Sequence, residues 1–171
     1  MFKSVLDQPD TYKLDRQKIY ESILGLPHQV EQAWVEAGNQ PLHTKCHLAK
    51  NIIIAGMGGS ALSGRIIRSL DQYILNVPLE VVTNYRLPNY VDKSSLVILS
   101  SYSGNTEETI SCAHDALARG AKIFVIATGG VLLNFAKKHK LDFYQIDPLA
   151  NPIGQPRMGL GYSIIAVFAG L

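Results

Sequence analysis

The stretch from Ser101 to Thr109, SYSGNTEET, places several hydroxyl side chains around one glycine, directly after an apolar run. Ser101 and Ser103 precede that glycine and Thr106 follows it, where a helix is predicted to begin. A helix N-terminus presents free backbone N–H groups and the positive end of its dipole, and hydroxyls can donate from other directions. A phosphate group requires such donors on several sides. The stretch therefore predicts a phosphate-binding loop formed by Ser101, Ser103 and Thr106.

Helix capping is the alternative explanation for these side chains. Ser103 or Asn105 could cap the helix, and Glu108 follows Asn105 by three residues, as in a capping box. Capping accounts for one side chain and not for polar residues on both sides of a glycine. The phosphate-binding hypothesis is therefore favoured.

A second turn, from Gly56 to Ala61, also follows an apolar run. Gly56, Gly58 and Ala61 match the G-x-G-x-x-A form of the dinucleotide-binding fingerprint, which is a weak signal because any tight strand-to-helix turn favours glycine. A nicotinamide site also needs an acidic residue at the end of the second strand, whereas Asn84 stands there and Glu80 lies near the strand's start. Dinucleotide binding by a dehydrogenase domain therefore stays open only as a third interpretation.

Unbroken apolar runs precede both turns, and such runs are typical of strands buried on both faces of a parallel sheet. The same pattern recurs along the chain, with helical periodicity between the runs. Strands are predicted over 51–56, 79–83, 96–100, 122–128 and 143–146, with helices over 59–73, 106–120 and 131–140. This alternation predicts an α/β fold with a doubly wound, parallel, five-stranded sheet. Ligands bind at the carboxyl ends of such strands, where both turns fall.

The predicted sheet domain spans 46–150 and is flanked by two shorter segments. Residues 1–45 are predicted to form an N-terminal helical arm, and residues 151–171 to begin a connection to a second domain. The arm has two helical sets of apolar residues, and both are expected to pack on a neighbouring domain: Leu14, Ile19, Ile23 and Leu24, then Val30, Trp34 and Ala37. The final helix is still apolar where the sequence stops, so four of its side chains are expected to lack a packing partner: Ile164, Ile165, Val167 and Phe168.

Composition limits the functions that the chain can have. With 171 residues, 47% of them hydrophobic, one substantial core is expected without metals or disulfides. The net charge of +2 is scattered, which argues against nucleic acid or an anionic membrane surface as partner and favours a small molecule. Cys46 and Cys112 lack zinc-site spacing, and the five histidines show no metal-ligand spacing. Free thiols, and the lack of a secretory h-region or a membrane-length apolar run, predict a cytoplasmic protein.

The two turns together resemble those of the sugar isomerase (SIS) domain family, in which an S-x-S-G-x-T loop binds the phosphate of a phosphosugar. The segments LPHQVEQAW and NPIGQPRMGLGY narrow the resemblance to the N-terminal half of the bifunctional phosphoglucose/phosphomannose isomerases, where a P-R-x-x-x-G-Y motif follows the first SIS domain. The resemblance covers the chain from about Lys13 onward and departs from the family at His28, where glutamate is usual.

The resemblance implies a role for each motif residue. Gly58, Gly59 and Ser60 would lie against the sugar, Ser101, Ser103 and Thr106 would surround the phosphate, and Arg157 would be the active-site arginine. It further implies that a homodimer without a cofactor interconverts glucose 6-phosphate or mannose 6-phosphate with fructose 6-phosphate through a cis-enediol(ate). The base glutamate, the ring-opening histidine and a lysine would belong to a second SIS domain beyond Leu171, so this chain alone is expected to be inactive.

Two alternatives stay open beside the isomerase. A non-catalytic phosphosugar sensor could use the same phosphate loop, since it needs binding without turnover. Arg157 could also be an ordinary arginine that caps a loop carbonyl or pairs with a surface carboxylate. Its position in the PR-x-x-x-GY segment is what favours an active-site role.

Overall fold

Five apolar segments form the central sheet, as their unbroken hydrophobic runs predict. The computed structural model describes residues 15–39, 48–71 and 75–171. The strands are β1 (Asn51–Gly56), β2 (Leu79–Val82), β3 (Ser95–Ser100), β4 (Lys122–Ala127) and β5 (Asp142–Gln145). The helices are α1 (Ile19–Leu24), α2 (Leu26–Gly38), α3 (Gly58–Asp71), α4 (Glu107–Ala118), α5 (Gly130–His139) and α6 (Leu160–Ala169), and a short 3-10 helix spans Pro156–Met158.

Neighbouring strands all run parallel, in the order β2-β1-β3-β4-β5. This is the flavodoxin-like order of a doubly wound sheet, whereas the dinucleotide-binding order begins 3-2-1. The order reverses between β1 and β3, so this pair forms the switch point. Their register pairs Gly56 with Ser100, the last residue of each strand. The turns that follow β1 and β3 therefore start side by side, and the predicted fold class is confirmed.

Helices cover both faces of the sheet. On one face, α2, α3 and α6 pack on a cluster that includes Ile54 and Ile98. On the other face, α4 and α5 pack on a second cluster that includes Ile53 and Leu99. Every residue of β3 is buried, as expected for a central strand covered on both sides. This packing holds the carboxyl ends of β1 and β3 in fixed positions at one edge.

Helix α6 belongs to the first of these clusters. Val167 is fully buried, and Ile164 and Ile165 pack against the same core. The expectation that these side chains lack a packing partner is therefore wrong, because α6 folds back on the sheet of its own chain. Phe168 remains 47% exposed and stacks on Trp34 of α2, with the ring centroids 6.1 Å apart.

Helix α2 presents a different side to the protein interior from the one that its apolar residues predict. Gln29 and Ala33 are both 0% exposed, whereas Val30 and Trp34 are 37% and 59% exposed. Val30 and Trp34 thus lie on the face of α2 that points away from this sheet, and their packing on a neighbouring domain stays a prediction. Buried Gln29 makes long-range hydrogen bonds that the spacing of apolar residues does not reveal.

Some sequence predictions fall outside the described residues. Leu14, Cys46 and the end of the helix predicted over 59–73 lie there. Within the described ranges, the Cys112 thiol is buried against the sheet. In the same ranges, none of the helices has the length and hydrophobicity that crossing a lipid bilayer requires.

Candidate functional site

The hydroxyl turn, Ser101–Thr106, connects β3 to α4. The Oγ atom of Ser101 lies 2.8 Å from Oγ1 of Thr106, within hydrogen-bond distance. Ser101 Oγ also accepts a hydrogen bond from the backbone N–H of Gly104 at 3.1 Å. Gly104 has a φ of 69°, in the left-handed region that favours glycine, and this lets the chain reverse between the two hydroxyls. Two of the predicted phosphate ligands thus converge at the start of α4.

The structure also decides how Ser103 and Asn105 are used. Asn105 Oδ1 accepts a hydrogen bond from the backbone N–H of Val131, at the start of α5 rather than of α4. The exposed Ser103 accepts one from the N–H of Asn105 at 3.3 Å through its Oγ. Thr106 occupies the N-cap position of α4 without a side-chain capping bond within the described part of the chain. The capping alternative is therefore wrong, and the first turn of α4 offers its N–H groups to an anion.

The glycine turn, Gly56–Ser60, connects β1 to α3 and approaches other backbone closely. A Cβ atom on Gly56 would lie 2.7 Å from the carbonyl oxygen of Ser100. A Cβ atom on Gly59 would lie 3.3 Å from the Cα atom of Arg157. Gly58 has a φ of 53° and faces open space. The turn therefore lies directly against the segment that carries the predicted active-site arginine.

Ser60 is 5% exposed and joins the two turns. Its Oγ accepts a hydrogen bond from the backbone N–H of Tyr102 at 3.2 Å. Among the residues that the structure describes, the Ser60 hydroxyl proton has no acceptor, so a role against a ligand is compatible with this bond.

Arg157 lies on the 3-10 helix Pro156–Met158, and its side chain is exposed. Among the described residues, its guanidinium has no hydrogen-bond or ion-pair partner. The capped carbonyl or surface carboxylate of the alternative explanation is thus not found in the described part of the chain. The guanidinium is therefore available to a ligand, and its planar fork of donors suits an anionic one.

Sequence reasoning predicted a connection between β4 and α5 but did not include this third turn, at 128–130, in the candidate site. The N–H and the hydroxyl of Thr128 both donate to the carbonyl oxygen of Tyr102, at 2.9 and 2.8 Å. A Cβ atom on Gly104 would overlap the carbonyl oxygen of Gly129, so the third turn and the hydroxyl turn touch backbone to backbone. Two glycines after a buried strand are the same signal as in the glycine turn and could have revealed this one.

Gln29 is a second residue that the sequence did not reveal. Its Nε2 donates to the carbonyl oxygens of Ala150 and Met158, at 3.0 and 2.8 Å. Its Oε1 accepts from the N–H of Gly161 at 3.2 Å. Helix α2 therefore fixes the backbone on both sides of Arg157. The signal was a polar residue within a helical pattern, and periodicity alone predicts that such a residue is exposed.

Glu80 is engaged away from the ligand edge. It lies near the start of β2 and accepts a hydrogen bond from the hydroxyl of Tyr90. Burial and this hydrogen bond raise the pKa of Tyr90 to about 12. The carboxylate that a nicotinamide site would need at the end of β2 is therefore not supplied by Glu80.

Comparison with known proteins identifies the family. A family model described as the SIS domain matches residues 47–145, and the chain belongs to that family. A bifunctional phosphoglucose/phosphomannose isomerase of Caldicellulosiruptor bescii is 44% identical over 148 residues, which are 86% of this chain and 42% of the relative. A protein of the same name from Aquifex aeolicus is 35% identical over 153 residues, 88% of this chain and 44% of the relative. The resemblance to these isomerases that the motifs indicate is thus confirmed.

The chain spans less than half the length of these two curated relatives. Among solved structures, tagatose-6-phosphate ketose/aldose isomerase from Escherichia coli superposes with a TM-score of 0.68 at 18% identity, over 89% of this chain and 46% of that one. At this level of identity the likeness shows the fold alone.

Proposed function

We propose that this chain binds the phosphate end of a phosphosugar for aldose–ketose isomerisation. The substrates would be glucose 6-phosphate or mannose 6-phosphate and fructose 6-phosphate. The observation that carries the proposal is the pair of hydroxyls, Ser101 and Thr106, 2.8 Å apart at the start of α4, which lacks a side-chain cap in the described residues. Relatives named phosphoglucose/phosphomannose isomerase support it, since they share 44% and 35% of the aligned residues.

The chemistry divides the work between binding and proton transfer. Isomerisation moves a proton between neighbouring carbons through a cis-enediol(ate), which needs a base and a fixed positive charge near the developing oxyanion. Arg157 would supply that charge, with Gly58, Gly59 and Ser60 against the sugar. Ser101, Ser103 and Thr106 would hold the remote phosphate, whose binding energy positions the reacting carbons. The resemblance assigns the base glutamate, the histidine and the lysine to a second SIS domain.

We also propose a cellular compartment, an oligomeric state and a metabolic role for the full protein. We expect a cytoplasmic homodimer that acts in carbohydrate metabolism, within glycolysis and gluconeogenesis. We also keep the division into a helical arm at 1–45, a sugar-phosphate domain at 46–150 and a connection at 151–171. The arm and the connection meet through Gln29, which bonds to Met158.

Calorimetry with the purified chain tests the proposal. We expect fructose 6-phosphate and glucose 6-phosphate to bind, and free fructose, which lacks the phosphate, to show no measurable binding. Failure of every phosphosugar to bind would contradict the phosphate site. Turnover of glucose 6-phosphate by the full gene product would support the isomerase, whereas binding without turnover there would favour the sensor.

A further inference from the structure

Tyr102 lies between the two serines of the hydroxyl turn, yet its side chain contacts a different part of the molecule. It is 6% exposed, and its hydroxyl accepts a hydrogen bond from Asn151 Nδ2 at 2.6 Å. Its ring lies so close to Gly159 that a Cβ atom there would overlap it. Asn151 and Gly159 flank Arg157 in sequence. The side chain of Tyr102 thus contacts the arginine segment, Asn151–Gly159, on both sides of the arginine.

The backbone of Tyr102 contacts the two other turns at the same edge of the sheet. Its N–H donates to Ser60 Oγ at 3.2 Å, in the glycine turn. Its carbonyl oxygen accepts from the N–H and the hydroxyl of Thr128, at 2.9 and 2.8 Å. The backbone of Tyr102 is therefore fixed by the glycine turn, which carries predicted ligands, and by the turn between β4 and α5.

Asn151 connects the Tyr102 hydroxyl to the backbone of the arginine segment. It is 2% exposed, and its Nδ2 also donates to the carbonyl oxygen of Gln155 at 3.0 Å. Gln155 is two residues before Arg157. Burial raises the pKa of Tyr102, and the hydrogen bond from Asn151 lowers it in part, so the phenol stays neutral near pH 7. The link is a buried neutral hydrogen bond, which is directional and little screened by salt.

We propose that Tyr102 is a positioning residue that couples the phosphate loop to Arg157, an inference that rests on the proposed function. Its hydroxyl and ring hold the arginine segment against the hydroxyl turn. The phosphate of a ligand would bind the hydroxyl turn, and the charge that develops on its reacting carbons would meet Arg157. A ligand that spans both regions requires them in register, whereas inorganic phosphate requires only the hydroxyl turn.

Two matched variants test this coupling by calorimetry. Tyr102→Phe removes the hydroxyl and keeps the ring. The control, Tyr144→Phe, removes the hydroxyl of another buried tyrosine, which donates to Glu36 and joins β5 to α2. The probes are inorganic phosphate and 5-phosphoarabinonate, whose carboxylate stands where enediolate charge would develop. We expect Tyr102→Phe to weaken the arabinonate about fivefold to tenfold and phosphate less than twofold. Tyr144→Phe should leave both affinities unchanged.

A double-mutant cycle distinguishes coupling from a general loss of structure. In an Arg157→Ala background, Tyr102→Phe should not weaken binding of the arabinonate any further, because the guanidinium that Tyr102 positions is absent. Additive losses, or equal losses for phosphate and the arabinonate, would overturn the proposal. If Tyr102→Phe does not fold, Asn151→Ala removes the same bond from the other side and should give the same selective loss. Wild-type protein that binds neither probe would refute the proposed function itself, and the coupling with it.

Discussion

The glycine turn and the hydroxyl turn leave adjacent strands at the same edge of the sheet, and both open on a helix. They use different atoms. The glycine turn removes side chains, so that Gly59 lies against the backbone of Arg157. The hydroxyl turn adds side chains, so that Ser101 and Thr106 meet at 2.8 Å. The difference indicates that one turn provides close approach and the other provides hydrogen-bond donors.

The two turns depend on each other. Ser60 of the glycine turn accepts the N–H of Tyr102 in the hydroxyl turn, and the hydroxyl turn in turn rests on Thr128–Gly130. Changes that disturb backbone contact should therefore affect stability first, and changes that remove a hydroxyl should affect binding first.

The largest expected effect is on stability, from Gly104→Ala. The new Cβ would overlap the carbonyl oxygen of Gly129 at a residue with φ of 69°. Left-handed backbone alone costs a non-glycine residue about 1–2 kcal/mol, and the clash adds to this, so we expect a loss of about 3 kcal/mol or more in urea unfolding. The control is Gly58→Ala, with φ of 53° and nothing within 4 Å of the new atom. Equal losses in the two variants would show that the contact with Gly129 does not matter.

The next largest effect is on binding, from Thr106→Ala or Ser103→Ala. A hydrogen bond to a charged group contributes about 1.5–3 kcal/mol, so fructose 6-phosphate should bind about tenfold to a hundredfold more weakly. The control is Ser69→Ala, which removes an exposed hydroxyl that bonds to Arg65 on α3, outside the two turns. Calorimetry of the three variants checks this, and wild-type affinity in both loop variants would refute the assignment of the loop.

A smaller effect is expected from Gly59→Ala. Its Cβ would lie 3.3 Å from Arg157 Cα and from the carbonyl oxygen of Pro156, so the arginine segment must move by a few tenths of an ångström. A strain of about 1 kcal/mol should weaken phosphosugar binding about fivefold and leave inorganic phosphate unaffected. The same titrations measure it. Parallel losses for both ligands would mean that the glycine turn serves the phosphate as well as the sugar.

The smallest effect extends the comparison to the helices that follow the turns. Helix α3 brings Gly64 close to Ile54, whereas α4 packs the Cys112 thiol on the sheet. Burial raises the pKa of Cys112 to about 11. Cys112 should therefore react slowly with iodoacetamide at pH 8 in the native protein and quickly in urea. Peptide mass spectrometry of the Cys112 peptide would measure both rates. Fast native alkylation of Cys112 would contradict its burial.

The same thiol has a defined sign in the pH dependence of stability. Its pKa is higher in the folded state than its ordinary value of 9.0, so the unfolded thiol ionises first as the pH rises. Its contribution to stability is complete below about pH 9 and falls as the pH rises towards 11. Between about pH 9 and 11, the free energy of unfolding of Cys112→Ala should therefore fall less than that of wild type, as urea unfolding would measure.

The sheet and both turns were predictable because their signals are local. Buried parallel strands are unbroken apolar runs, and a glycine or a hydroxyl beside a strand end is visible in the sequence. The side of α2 that is buried was not predictable, because Gln29 is satisfied by partners more than 120 residues away, at Ala150 and Met158. The packing of α6 was not predictable for the same reason, because its partners on the sheet are also far away in sequence.

The site shows the same division. Convergence of Ser101 and Thr106 follows from a short loop, so the spacing of the sequence was enough. The bond between Asn105 and Val131 and the bond between Tyr102 and Asn151 cross between turns, and no local pattern encodes them. Asn105 was a candidate cap for α4 because its nearest helix in sequence is α4, whereas the folded chain brings α5 to it.

Trp34 is the only tryptophan of the chain, and it stacks on Phe168 where α2 meets α6. Its fluorescence is therefore a built-in reporter of the docking between these two helices, separate from the circular dichroism of the sheet as a whole. Because Gln29 on the same helix holds the backbone around Arg157, a shift of the emission maximum at denaturant concentrations that leave the sheet intact would reveal release of the arginine segment before global unfolding.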